Sequence, residues 1–456
     1  ADVDFIYLDV TNTLIYEQAV LELLKTIRQM RKEGIAAPRV TFVTNAASGK
    51  TINRLYDRFY SKPEFEGLWF PWQGRPLIFG QVKDPVLRKG LADYFTIKRS
   101  WAWTKAATTP NEWQWLDTWP QDYGWSESPD RPEQIPVSAG SHASNSMGKS
   151  YRYRTKSSPP VGPDYLTEKT GHGLFFEEQW HRAHEVDPEV VMITQWNEWI
   201  AMRFIKKDQG PLYAGRPPLK DGSWFVDVFT PEFSRDIAPM RGGYTDNYYY
   251  QMIGHIRRFK GISAPPERAA PREIQIDGRF DDWEGVPENY RDPLGDTMHR
   301  HFRGTDPDTM YTHTYGRNDI RTVRVVESAH KVHFKVATAA DLTPHTGDHW
   351  MVLLIDTDRK KETGWQGYEL AVNRASVSDN ESTVARWIDG QWKQSHKVPF
   401  AYRGNRLELS LPNDLFPRHA GQGFDFKWTD NVSLEDVDSL FLEGDVAPDR
   451  RFNFRY

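Results

Sequence analysis

Five consecutive residues near the middle of the chain combine side chains that could act on a sugar. Gln195, Trp196, Asn197, Glu198 and Trp199 follow the strand-like run VVMIT. Amides bind hydroxyl groups, indole rings stack on sugar faces, and a carboxylic acid can protonate a glycosidic oxygen. We expect the two flanking tryptophans to desolvate Glu198, raise its pKa and favour the protonated form that a general acid needs. In the alternative interpretation, Asn197 caps the next segment and Glu198 makes a structural ion pair.

A second carboxylate is needed for glycoside cleavage, and the sequence offers two candidates. Asp9 stands at the end of the strand-like run DFIYLDV, where it could instead shape a turn with Asn12. Glu178 is the second choice, although Glu177 and Glu178 could both be solvated residues of a predicted helix.

The remaining candidates for substrate binding also follow predicted strands. Their types are amide, imidazole and indole, which suit hydroxyl groups and sugar rings. His142 could instead be structural, and Trp101 and Trp103 could instead fill a core. The predicted substrate-binding residues are Asn12, Asn45, Trp101, Trp103, His142, Glu178, Trp196, Asn197 and Trp199.

Alternating strand-like and helix-like segments would position these residues. Six short apolar runs are predicted strands, at 4–10, 39–45, 76–80, 96–103, 135–142 and 190–199. Amphipathic segments predict helices at 14–34, 51–61, 85–95, 174–185 and 246–261. Repeated strand–helix units predict a parallel sheet whose ligand lies beyond the carboxyl ends of the strands. A complete eight-stranded barrel needs two more strands, so either two are missing from the start or the sheet is open.

The hydropathy pattern of the chain changes after the proline-rich segment 263–273, which we interpret as a linker. Beyond it, apolar and polar residues alternate with a period of two between frequent turns. This pattern predicts an antiparallel β-sandwich. The predicted organisation is an α/β domain over 1–262, the linker, and a β-sandwich over 274–456.

Composition excludes several classes of function. The 58 Lys and Arg against 63 Asp and Glu give a net charge of −5, which argues against a nucleic-acid partner. No apolar run is long enough to span a bilayer, and the absence of cysteine excludes disulfides and thiolate zinc sites. The motifs HExxH, GxSxG, GxxxxGK[ST] and GxGxxG are absent. His299 and His301 are a weak metal candidate in a polar loop.

The run VVMITQWNEW resembles the Trp-Asn-Glu-Trp strand of glycoside hydrolase families 71 and 99, which are (β/α)8 barrels acting on glycans. The opening DFIYLDVTN is similar to the third strand of such barrels. The resemblance, over roughly residues 1–262, implies a TIM-like (β/α)8 barrel whose first two strands are absent from this chain. We therefore expect the chain to be processed or partial. Family-99 enzymes carry a Glu-x-x-Glu pair; Glu198 matches its first position, but Ala201 occupies the second.

The run IQIDGRFDDW and the strand ending at Asp358 resemble carbohydrate-binding module family 9. The resemblance implies a sugar-binding or interaction domain appended to an enzyme, in which an acidic run can hold a structural calcium. Asp356, Asp358 and Thr363 would suit calcium, and a solvated turn is the alternative. Trp350, Trp365 and Trp392 are candidates for sugar binding, and Trp283 for the core.

These observations predict a glycoside hydrolase that is secreted, periplasmic or on the cell surface, acts on a carbohydrate and requires no cofactor. Glu198 would be the general acid or acid/base, and Asp9 the base, nucleophile or electrostatic stabiliser. A carboxyl separation of about 5–5.5 Å would indicate retention, and about 6.5–9.5 Å inversion. The alternative, favoured by Ala201, is a non-catalytic carbohydrate-binding or glycan-capture protein with a degenerate barrel. A polysaccharide lyase using Asp9 and His142 is a third interpretation.

Overall fold

The structure is a computed structural model of the 456-residue chain, which divides into two compact units, Ala1–Ile262 and Ser263–Tyr456. No helix among the described residues is both long and apolar enough to cross a membrane. The residues that the structure describes are 2–81, 83–102, 108–140, 170–197, 203–204, 224–225, 236–240, 244–262, 266–297, 300–303, 310–313, 316–345, 349–378, 380–416, 423–437 and 439–456.

The first unit is built on parallel strands with helices between some of them. Its elements are β1 (Phe5–Asp9), α1 (Glu17–Lys32), β2 (Arg39–Val43), α2 (Ser48–Leu55), β3 (Pro71–Trp72), β4 (Arg75–Phe79), α3 (Leu91–Tyr94), β5 (Thr96–Ala102), β6 (Glu112–Leu116), β7 (Gln134–Ser138), α4 (Leu174–Val186), β8 (Val190–Thr194), β9 (Arg203–Phe204), β10 (Trp224–Phe225) and α5 (Asn247–Lys260). Strands β1, β2, β4, β5 and β6 are parallel neighbours in that order, and β7 and β8 form a further parallel pair. The short β3 runs antiparallel to β4.

Helix α1 shows why the amphipathic segments cover the outer face of this sheet. Val20, Leu24 and Ile27 recur at helical spacing and are all buried, in one apolar cluster with Val40 and Phe42 of β2. The chain leaves the helix through Gly34, whose φ of 75° suits a residue without a Cβ. Outward-facing residues of the strands are thereby shielded from water.

The sheet curls until β1 lies within hydrogen-bonding distance of β8. The Tyr7 hydroxyl is 3.0 Å from the carbonyl oxygen of Ile193 and 2.7 Å from the hydroxyl of Thr194. The Thr194 hydroxyl in turn donates to the carbonyl of Trp115 in β6. The result is a parallel half-barrel, whose inner apolar cluster contains Val43, Leu77, Phe79, Trp113 and Met192.

A charged pair is buried within the first unit. Lys98 pairs in register with Phe79, and its Nζ lies 2.8 Å from Oε2 of Glu133, which also accepts from Nε1 of Trp113 at 2.8 Å. Burial alone would raise the pKa of Glu133, but hydrogen bonds from Lys98, Ser126 and Trp113 outweigh it and hold that pKa below its usual value. The ion pair therefore depends on both partners being present.

The predicted TIM-like (β/α)8 barrel is wrong for this unit, because helices do not follow each strand. No helix forms between β6 and β7, where residues 117–133 are all described and contain Pro120, Pro129 and Pro132. The helix predicted over 85–95 shortens to Leu91–Tyr94, because Pro85 and Gly90, with φ of 91°, interrupt it. The described helices are too few and too short to form the outer ring of such a barrel.

The second unit is almost entirely antiparallel sheet. Its elements are β11 (Tyr290–Arg291), β12 (Arg300–Arg303), β13 (Met310–His313), β14 (Ile320–Glu327), β15 (Lys331–Thr338), β16 (Val352–Asp356), β17 (Leu370–Ser378), β18 (Glu381–Ile388), β19 (Gln391–Arg403), β20 (Arg406–Pro412), β21 (Asp425–Asp430), α6 (Ser439–Leu442), β22 (Asp445–Ala447) and β23 (Phe454–Arg455). The main sheet runs β11-β14-β15-β20-β19-β18-β17-β16-β21-β22, with β23 beside β21.

The predicted β-sandwich is also wrong, because the main sheet of this unit is continuous and nearly closes into a barrel, beside the separate two-stranded sheet of β12 and β13. Strand β19 explains the difference: its residues 391–399 pair with β18, while residues 400–403 pair with β20. One long strand therefore carries the sheet round a corner that a sandwich would leave between separate sheets. The apolar inner residues form a single core, which includes Phe334, Leu353, Leu409 and Trp428.

Side chains attach the segment before β11 to this barrel. Glu408 accepts hydrogen bonds from the amides of Asp277 and Gly278, at 3.0 and 2.8 Å, and from Nε1 of Trp283 at 2.8 Å. Trp283 is 1% exposed, which confirms that it belongs to the core. The predicted linker is not free of this unit, since the amide of Arg272 donates to the carbonyl of Glu327.

Replacing Tyr7 by Phe should destabilise the first unit, because β1 loses its hydrogen bonds to β8. Leaving a buried partner unsatisfied typically costs about 1–3 kcal/mol. Denaturant unfolding followed by tryptophan fluorescence measures the change. Tyr16→Phe is the control, since the exposed Tyr16 hydroxyl only accepts from the Asn12 amide and should matter by less than about 0.5 kcal/mol. Equal losses in the two variants would contradict the role of Tyr7.

Lys98→Met should destabilise the first unit more strongly, because it leaves the Glu133 carboxylate buried without its cation. Breaking one partner of a buried ion pair costs about 3–5 kcal/mol. The same unfolding experiment applies, with Lys25→Met as control, since Lys25 and Glu22 form an exposed pair at 2.7 Å that should contribute less than about 1 kcal/mol. A loss for Lys98→Met no larger than for Lys25→Met would show that the buried pair is not stabilising.

Candidate functional site

Hydrogen bonds bring three strand ends of the half-barrel together. Thr194 links the other two residues, because its hydroxyl contacts the Tyr7 hydroxyl and donates to the carbonyl of Trp115. Strands β1 and β6 run in the same direction within one sheet, and β8 is parallel to β7. Two residues further along each strand direction come Asp9, Trp196 and Asp117. Two residues of extended chain advance about 6.6 Å, which places Asp9 and Asp117 at the carboxyl edge, while Trp196 follows the turn at Gln195 that ends β8. This is the edge at which ligands bind in parallel sheets.

Asp9 is exposed at this edge and has a structural task as well. Its Oδ1 accepts a hydrogen bond of 2.8 Å from the amide of Thr11. Asp9 therefore does shape a turn, which was the alternative interpretation of this residue. Oδ2 accepts no hydrogen bond from the residues that the structure describes. The carboxylate can therefore face a ligand while one oxygen keeps the loop in place.

The two asparagines of this region that are predicted to bind substrate differ in how far their side chains are already hydrogen-bonded. Asn12 is engaged within its own loop, accepting from the amide of Leu14 at 3.0 Å and donating to the Tyr16 hydroxyl at 2.9 Å. Asn45 is exposed directly after β2, two residues beyond the buried Val43. Of the two, Asn45 is better placed to bind a sugar hydroxyl.

The segment after β8 leaves its strand sharply and exposes an indole. Gln195 has a φ of 72°, which is uncommon outside glycine and recurs at functional sites. Its side-chain oxygen accepts from the amide of Gly140 at 3.0 Å, which ties the ends of β7 and β8 together. Trp196 is 44% exposed and packs edge-on against Tyr249, with ring centroids 5.6 Å apart. An exposed, buttressed indole is a suitable surface for stacking a sugar ring.

Asp117 is a carboxylate at this edge that sequence reasoning missed, because the segment around it was assigned to a long loop. It follows β6 directly and is half-buried. Burial, partly offset by hydrogen bonds from the amides of Asp122 and Thr118, raises the pKa of Asp117 to about 6. A carboxyl group with such a pKa can act as an acid near neutral pH. The alternation of Trp113 and Trp115 in EWQWL was the sequence signal for the strand that places it.

The other predicted residues of this unit are two buried side chains, the exposed Asn197 and four residues outside the described part of the chain. Trp101 is only 6% exposed, which favours the core interpretation. Glu178 is 2% exposed on α4, which packs against β7, so its solvated alternative is wrong. Asn197 is exposed beside Trp196. Trp103, His142, Glu198 and Trp199 lie outside the described residues.

The acidic run of the second unit forms a cluster that could hold a metal. Asp356, Asp358 and Glu369 each bring one carboxylate oxygen within 4.8 Å of the others. Asp356 is 1% exposed, and burial beside Glu369 raises its pKa to about 7. Oδ2 of Asp356 and Oε1 of Glu369 are buried without a hydrogen-bond partner among the described residues. This all-oxygen donor set fits calcium, whereas the Thr363 hydroxyl already donates to Asp358 at 3.0 Å.

The tryptophans proposed for sugar binding in the second unit are largely inside it. Trp350 is 1% exposed and donates through Nε1 to Thr343, and Trp365 is 7% exposed. Trp392 is half-buried and lies below the guanidinium of Arg374, 5.7 Å from its ring centroid. Only Trp392 of the three keeps an appreciable accessible surface.

No family model, curated protein or solved structure matches this chain. The glycoside hydrolase and carbohydrate-binding resemblances therefore depend on the residues quoted above, and the function must be argued from the geometry of the site.

Proposed function

We propose that the first unit hydrolyses glycosidic bonds of an extracytoplasmic oligo- or polysaccharide at the carboxyl edge of its half-barrel. The observation that supports this most is the hydrogen-bonded set of Tyr7, Thr194 and Trp115, which holds together the three strands that lead to Asp9, Trp196 and Asp117. Two carboxyl groups and a stacking indole are what glycoside hydrolysis requires.

The two carboxyl groups differ in environment, which suits them to different roles. Asp9 is exposed and would act as nucleophile, base or stabiliser of the oxocarbenium-like transition state. Asp117, with a pKa near 6, competes with the sequence-predicted Glu198 for the role of proton donor. Trp196 and Asn45 would position the sugar.

Asp9→Asn should abolish most of the turnover while leaving the fold intact, because the amide cannot stabilise positive charge at the sugar. The expected loss in kcat/KM is on the order of 100- to 10,000-fold. The assay is a polysaccharide panel with product detection by mass spectrometry. Asp4→Asn is the matched control: Asp4 precedes the other end of β1 and pairs with Lys260 at 2.8 Å, so its activity should stay within about twofold.

Two results of this assay would contradict the proposal. One is wild-type turnover that Asp9→Asn leaves unchanged. The other is glycan binding without turnover by the wild-type protein, which would favour the non-catalytic glycan-binding alternative.

The pH profile should identify the proton donor. If Asp117 donates the proton, it must be protonated, so kcat/KM should fall about tenfold per pH unit above pH about 6. Asp117→Asn should then have low activity, and its kcat/KM should not show this fall above pH about 6 (the alkaline limb of the profile). If the limb persists in Asp117→Asn and disappears in Glu198→Gln, the donor is Glu198. Retained folding of each variant is checked by its unfolding transition.

A further inference from the structure

Three aspartates converge where the first and last strands of the second unit's main sheet approach each other. Asp292 and Asp296 lie in the loop after β11, and Asp445 begins β22. One carboxylate oxygen from each lies within 4.8 Å of the others. We call these three residues the seam cluster. They come from distant parts of the sequence, so the closure of the sheet brings them together.

The seam cluster contains carboxylate oxygens whose hydrogen-bonding capacity is unused. Asp292 is 4% exposed, and neither of its oxygens has a hydrogen-bond partner among the described residues. Both oxygens of Asp296 are likewise buried without a partner there. A buried carboxylate without donors is costly, because it loses its hydration without gaining hydrogen bonds in return. A cation bound by these oxygens would compensate for this cost.

Further negative charge surrounds the seam cluster. Asp319 holds the loop by accepting from the amide of Gly295 at 2.9 Å, and Asp449 lines an adjoining cavity of about 60 Å3 with Asp296 and Asp445. Burial and the nearby carboxylates of Asp445, Asp296 and Asp449 raise the pKa of Asp292 to about 10. The basic groups beside the cluster are Lys427, which donates to the carbonyl of Pro448, and Arg450 on the cavity wall. Among the described residues named here, five carboxyl groups therefore lie near two basic side chains.

The position of the seam cluster suggests what a cation would do. Strand β22 pairs with β21 at one end of the sheet, while β11 pairs with β14 at the other. These ends are joined by a side chain: Asp445 Oδ2 accepts from the amide of Ile320 at the start of β14. We propose that Asp292, Asp296 and Asp445 bind a calcium ion that joins the two ends of this sheet.

Calcium is the cation that the all-oxygen donor set favours. It binds six to eight oxygen ligands in flexible geometry, so it can take one oxygen from each of three aspartates whose oxygens lie within 4.8 Å of one another. Magnesium requires about 2.0–2.1 Å and a strict octahedron. The seam cluster is distinct from Asp356, Asp358 and Glu369, and it does not depend on the proposed glycosidase activity.

Hydrogen exchange of the full chain with and without calcium tests the proposal. Metal-free protein is titrated with calcium chloride to about 10 mM, and exchange is followed by mass spectrometry. We expect calcium to slow exchange in peptides covering 290–297, 319–323 and 443–447, because the ion fixes these segments to one another. Magnesium chloride at equal concentration should protect them less. Wild-type protein without calcium-dependent protection in these peptides would overturn the proposal.

Matched variants separate the seam cluster from the other acidic group. Asp292→Asn, which is nearly isosteric, should weaken calcium affinity at the seam by at least about tenfold. Asp296→Asn at the more accessible ligand should do the same, and it serves if Asp292→Asn does not fold. Asp356→Asn is the control and should leave the protection of the three seam peptides unchanged. Wild-type calcium affinity in folded Asp292→Asn or Asp296→Asn would overturn the proposal, as would equal loss of seam protection in Asp356→Asn.

Discussion

Both units depend on one constraint: in a strongly curled sheet, the hydrogen-bonding groups of the two end strands need partners. Among the described residues of each unit, a side chain makes a hydrogen bond between two strands that are not paired through their backbones. The Tyr7 hydroxyl connects β1 to β8, and the Asp445 carboxylate connects β22 to the start of β14. Unpaired strand edges invite association with other chains, and curling the ends toward each other is one way to protect them.

In the first unit the same closure determines where chemistry can occur. Hydrogen bonds among Tyr7, Thr194 and Trp115 hold β1, β8 and β6 together near their carboxyl ends. The residues that follow these strands therefore lie at the same edge of the half-barrel. The buried ion pair of Lys98 and Glu133 adds rigidity to the same unit. A site assembled from the ends of rigid strands is positioned more accurately than one assembled from loops alone.

The elements with strong periodicity could be predicted from the sequence, and those with local breaks could not. Helix α5 was predicted at 246–261 and occupies Asn247–Lys260, because its apolar spacing is regular. Strand β6 was missed, since EWQWL is short and lies among prolines and polar residues. The sandwich prediction failed for a different reason: alternation shows that β19 is a strand but does not show that it changes partners at residue 400.

The sites show the same division between local and non-local information. Asp9 and Trp196 could be found because each directly terminates a recognisable strand, so the sequence alone places them at the carboxyl edge. Asp117 required knowledge of β6, and its raised pKa reflects burial by residues that no local pattern identifies. The seam cluster is the extreme case, because Asp292 and Asp445 meet only when the sheet has nearly closed. Carboxylates that folding forces together repel each other when they are ionised, and this repulsion is relieved by protonation or by a bound cation.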